Sequence, residues 1–121
     1  MDKNSLIKNR IFVSDLIKKV LLSEMTVSDA LKSFPKTDDK SIIASFYALA
    51  HIEADEDLRL DSNYKDEQDE YLIHLSQILD RGDSLPQNII TSYEKYYKDS
   101  PIYPEMTKEN IIKRLKKNIN L

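Results

Sequence analysis

Apolar residues recur along this chain at helical spacing, and the pattern predicts five or six helices. The first covers residues 5–23. At about 100° per residue, Leu6, Ile7, Phe12, Val13, Leu16, Ile17, Val20 and Leu21 spread over an arc of roughly 220°, wider than a surface helix needs. Lys8, Asp15, Lys18 and Lys19 fill the remaining stripe, so this helix is expected to be central. Thr26-Val-Ser-Asp29 then matches a capping box, and Ala30, Leu31 and Phe34 follow on one face until Pro35 stops the helix. A long third helix is expected from Thr37 or Asp38, both good caps, to Leu60, with Ile42, Phe46, Leu49 and Ala50 sharing a face.

Asp61-Ser62-Asn63 reads as a tight connection in which Asn63 caps a fourth helix. Tyr64, Tyr71, Leu72, Leu75, Ile78 and Leu79 form its apolar face, and Gly82 lies where a helix C-terminus favours glycine. The short connection predicts an antiparallel hairpin over residues 38–81. Ser84-Leu-Pro-Gln87 opens a fifth helix carrying Ile89, Ile90, Tyr93, Tyr96 and Tyr97, which ends before Pro101. Thr107 opens a last one with Ile111, Ile112, Leu115 and Ile119 inward. The whole, residues 1–121, is expected to be one compact all-α bundle with no internal repeat or dividing linker.

Some positions break the apolar pattern. Glu53 and Asp57 project into the apolar arc of the third helix, one turn apart, and carboxylates are rarely buried unless paired. Arg10 falls between Ile17 and Leu21 on the apolar side of the first helix. Pairing the hairpin about its loop sets Asp57 level with Gln68 and Glu53 beside Tyr71. Three readings follow for Arg10, Glu53, Asp57, Gln68 and Tyr71. They form a buried network in which Arg10 holds the carboxylates; or the hairpin tip projects past the core and the carboxylates are wet; or Glu53 and Asp57 hold a divalent metal or a small cationic ligand. The Glu-x-x-His pairs of metal-binding bundles are absent. His51 with Asp55 and Glu70 with His74 have i, i+4 spacing, but His51, Asp55 and Glu70 point away from the apolar faces, and two solvated pairs are expected.

Composition narrows the classes. In 121 residues, 40% are hydrophobic and 32% charged, with one Gly and four Pro, which favours helices over a turn-rich β fold. No cysteine excludes disulfides and thiolate chemistry, and one glycine excludes a Gly-rich phosphate loop. No Ser-His-Asp signature is present, so no enzyme activity and no cofactor are expected. No apolar run is long enough to span a membrane, no signal peptide is legible, and a cytoplasmic location is expected.

The net charge of −3 is unevenly spread. Residues 53–70 hold nine acids against Arg59 and Lys65, while both ends of the chain are basic. The bland reading is solvated faces that balance within the molecule. The sharper one is an acidic hairpin for a basic protein partner, with Asp55, Glu56, Asp66 and the Pro-flanked Tyr103 as contact residues. Nucleic acid is disfavoured: the helix of the one helix-turn-helix-like segment starts with Asp38 and Asp39, which would meet phosphate badly. Self-association as a homodimer would suit the wide arc of the first helix. A small acidic helical chain with tyrosines toward its C-terminal end resembles nuclease-toxin immunity proteins in general type, without a shared motif from which residue roles carry over. The expected function is therefore that of a binding module: an adaptor, regulator or inhibitor.

Overall fold

The computed structural model describes residues 3–97. These form α1 (Lys3–Leu21), α2 (Val27–Lys32), α3 (Lys40–Ala54), a single 3₁₀ turn (Leu58–Leu60), α4 (Ser62–Asp80) and α5 (Gln87–Tyr97). The fold is all-α, and the described residues contain no strand. The sixth helix expected from Thr107, and Tyr103, lie outside the described residues.

α1 touches α2, α3 and α4, as its wide apolar arc requires, and α4 is its main partner. The most enclosed helix is α3, which meets all four others. Its buried residues run almost without a break from Ser41 to Ala50. The cause lies in side-chain size: Ser41, Ala44, Ser45, Ala48 and Ala50 let neighbours approach around its whole circumference, and a helix apolar all round belongs inside. Ile42, Phe46, Tyr47 and Leu49 supply its bulk, packed with Val13, Leu16 and Ile17 of α1 and Leu72, Leu75 and Leu79 of α4 in one core. On α1, by contrast, Ile11 and Phe12 remain exposed.

α3 stops at Ala54, six residues short of the expected end. Residues 53–57 read Glu-Ala-Asp-Glu-Asp, and negative charge is unfavourable at a helix C-terminus, where the dipole is itself negative. Two caps also sit elsewhere than expected. Asp39, not Thr37 or Asp38, caps α3 by accepting the Ser41 N–H. Asp61, not Asn63, caps α4 through the N–H groups of Asn63 and Tyr64. Thr26 caps α2 as expected, accepting from Asp29 N–H at 3.1 Å. Ser84 does not cap α5; its hydroxyl meets that of Ser41 at 3.1 Å.

α4 ends in a Schellman motif. Gly82 N–H donates to the Leu79 carbonyl (2.8 Å) and Asp83 N–H to that of Ile78 (3.2 Å), with Gly82 in the left-handed region at φ 77°. A Cβ at Gly82 would also lie 2.8 Å from Ile7 Cγ2 on α1, so glycine is needed here twice over.

Candidate functional site

The structure separates the five residues expected to form one buried polar cluster. Arg10 is held as predicted, but by another carboxylate. Its Nε donates to Asp39 Oδ2 (2.8 Å), its Nη2 to Asp39 Oδ1 (3.2 Å), and its Nη1 to the Gly82 carbonyl (3.0 Å). Both side chains are largely enclosed, 12% and 4% exposed. The acid that caps α3 thus also receives the fork of Arg10, which sequence reasoning assigned to the helix's other end. A second set of bonds lies beside the first: Leu85 N–H donates to Ser41 Oγ at 2.9 Å, and Asp39 N–H to Thr37 Oγ1 at 3.1 Å. This region joins α1, the start of α3 and the α4–α5 turn, and each of the side chains Arg10, Thr37, Asp39 and Ser41 has a protein partner in it, as buried polar groups of a fold require.

Glu53 is half-buried near the end of α3, and Asp57 is exposed in the connection that follows. They do not meet Arg10. α3 ends at Ala54 and α4 packs mainly against α1, yet the α3–α4 hairpin still brings the end of α3 to Gln68, where the carboxylate that meets its amide is that of Asp55 (3.0 Å) in place of the expected Asp57. Tyr71 lies at the surface, its hydroxyl 3.2 Å from that of Tyr93. Among the described residues no group of three His, Cys, Asp or Glu side chains is arranged to hold a metal ion.

Gln68 belongs to a different network, which braces the α3–α4 connection. Arg59 Nη1 donates to Gln68 Oε1 (2.7 Å) and its Nη2 to Asp69 Oδ1 (2.9 Å). Gln68 Nε2 donates to Asp55 Oδ2 (3.0 Å), as does the Tyr64 hydroxyl (2.7 Å). The hydrogen bond to Asp55 is the main cause that raises the Tyr64 pKa. Burial pushes the Asp69 carboxyl up, but hydrogen bonds and charge from Lys65 and Arg59 outweigh it and hold it below the ordinary value. Asp55, expected as a contact residue, is thus committed to the fold. The network as a whole was legible in part: Arg59 and Lys65 are the only Lys or Arg among residues 53–70, and both pair with Asp69.

The network leaves a distinct surface outside it. The 3₁₀ turn carries Leu58 and Leu60, 57% and 87% exposed, the latter the most exposed large apolar side chain among the described residues. Glu56, Asp57, Asp61 and Asp66 are exposed around them, Asp61 as the α4 cap. Continued as a helix to Leu60, α3 would return that leucine to near the centre of its apolar face. Once the helix stops, the phase is lost and both leucines turn outward. The result is a projecting apolar pair on a braced turn with an acidic surround.

His51 is also placed differently from expectation. The wheel set it opposite the apolar centre of α3, toward water. But α3 is covered on that side too, by α5, and His51 packs edge-on against Tyr93 (centroids 5.8 Å) and Tyr96 (5.1 Å). His74 is exposed on α4. Among the described residues no helix is long and apolar enough to cross a membrane. Comparison with known proteins returns no matching family model, no matching curated protein and no matching solved structure.

Proposed function

We propose that this chain is a small protein-binding module, an adaptor, regulator or inhibitor, that engages a basic protein partner through the acidic α3–α4 connection. The observation that supports this reading is the outward pair Leu58 and Leu60 on a turn held by Arg59, Gln68 and Asp69. Exposed leucines contribute nothing to the core, and a rigid apolar projection ringed by charge has the composition of an interface centre with a polar rim. The acids supply long-range attraction and orientation, and the leucines supply burial on contact. Glu56, Asp57 and Asp66 are the rim residues to vary, since Asp55 is engaged with Tyr64 and Gln68.

Two surface variants test the reading. Leu58→Ser/Leu60→Ser removes the apolar pair, and Glu56→Gln/Asp57→Asn/Asp66→Asn removes the acidic rim. Both are expected to melt like the parent, because the altered side chains are exposed. A partner captured by the parent is expected to be lost with the first variant and to bind with weaker salt dependence to the second. Capture indifferent to both variants, or no capture at all, overturns the reading.

A further inference from the structure

α5 rests on α3 through aromatic rings. Tyr47, fully buried, stacks on Tyr96 at 5.9 Å. One turn along α3, His51 sets its ring at 67° to Tyr93 and 72° to Tyr96. The His51 Nε2 is buried and has no hydrogen-bond partner among the described residues. A neutral imidazole tolerates this at a cost, whereas an imidazolium must donate from both nitrogens and loses its hydration as well. The groups acting on the ring are Asp55 from its own helix, and Lys95 with the phenols of Tyr93 and Tyr96 from α5; Tyr71 of α4 reaches it only through the Tyr93 hydroxyl. The Lys95 ammonium lies 5.2 Å from the centroid of the Tyr96 ring, so a second cation beside that ring meets a like charge. Burial is the largest influence on His51 and lowers its pKa from 6.5; Asp55 opposes this, and Lys95 adds to it.

We propose that His51 is a proton-sensitive joint: neutral, it holds α5 on α3 within the tyrosine pair; charged, it leaves that pair toward the Asp55 carboxylate, and α5 loosens and uncovers Tyr47. Among the described elements α3 is the principal support of α5, so losing this joint frees the helix without dismantling the α1–α4 core. The device stands independently of any partner at the acidic connection.

The sign follows from linkage. With the folded-state pKa below the unfolded one, the stability of the joint is intact above about pH 6.5 and is lost as pH falls from there through the folded value. NMR titration of the intact protein reads it directly. The His51 Cε1–H resonance is expected to titrate below 6.5. The ring resonances of Tyr93 and Tyr96 are expected to shift with the same midpoint. Across that midpoint the α5 amides lose exchange protection, while α1 and α4 amides keep theirs. His51→Phe retains an aromatic edge without the proton, and its α5 protection is expected to be level through the same range. Titration at or above 6.5, α5 protection constant through the His51 midpoint, or the same acid loss in His51→Phe each overturns the proposal. Should His51→Phe fail to fold, His51→Gln makes the same comparison, and the titration of the parent decides without either.

Discussion

Ser23 and Gly82 occupy the same left-handed conformation, at φ 60° and 77°, just past the ends of α1 and α4. Each closes the same motif: Glu24 N–H donates to the Lys19 carbonyl as Asp83 N–H does to that of Ile78. Only one of the two is glycine, and that difference is testable. Ser23 is exposed, so removing its Cβ loses no packing. Ser23→Gly is expected to stabilise the protein by about 0.5–1 kcal/mol, the left-handed strain relieved less the entropy gained by the unfolded chain. Gly82→Ala is expected to destabilise by about 0.5–1 kcal/mol from the backbone alone, the same two terms with the sign reversed. The 2.8 Å approach to Ile7 Cγ2 adds to that unless the isoleucine shifts. Urea denaturation of the two variants measures both. A Gly82→Ala loss no larger than the backbone cost would mean that α1 yields at Ile7. Gly82 was legible in the sequence because glycine after an amphipathic run is a specific signal. Ser23 was not, because serine carries no preference for positive φ.

At the scale of elements, the sequence pattern located all five described helices and misjudged one end, that of α3, by more than two residues. The apolar period of α3 runs on to Leu60, and only the electrostatics of five residues, Glu53 to Asp57, argues for stopping sooner. That local term won, and it carried the expected polar cluster away with it. Glu56→Gln/Asp57→Asn is therefore expected to leave stability within about 0.5 kcal/mol of the parent, with any shift upward as negative charge leaves the end of α3. Thermal melts of the pair decide it; a loss above about 2 kcal/mol would place the two carboxylates in an essential pairing. The brace on the following turn has its own pH window. The Asp69 pKa lies below its ordinary 3.8, so its pairing with Arg59 and Lys65 is fully present above that value and is lost as pH falls through the folded one. Carbon NMR of the Asp69 carboxyl is expected to show the depressed midpoint, and Arg59→Ala is expected to raise it toward 3.8.

For the molecule as a whole, Arg10 connects three parts of the chain that are far apart in sequence. Its fork closes on Asp39 at the start of α3, and its remaining amine reaches the Gly82 carbonyl in the α4–α5 turn. The sequence showed that Arg10 breaks an apolar face and needs an acid. It did not show which one, since the choice depends on which end of α3 lies beside α1, a tertiary fact absent from the helical period. Asp39 has two roles, as N-cap and counter-ion, and substitutions can separate them. Asp39→Asn keeps a capping oxygen and loses the charge; Asp39→Ala loses both. Arg10→Met leaves the Asp39 carboxylate enclosed with the Ser41 N–H but without its cation. Breaking such a buried pair from one side is expected to cost about 3–5 kcal/mol, for Arg10→Met as for Asp39→Ala, with Asp39→Asn losing less. The double variant Arg10→Met/Asp39→Asn leaves no uncompensated charge and is expected to be more stable than Arg10→Met alone. The two residues touch, so the single effects should not add, and the coupling from the four-way cycle measures the pair itself. Additive losses would mean that Arg10 acts chiefly through Gly82, and that the α4–α5 turn, rather than the cap of α3, is what α1 holds in place.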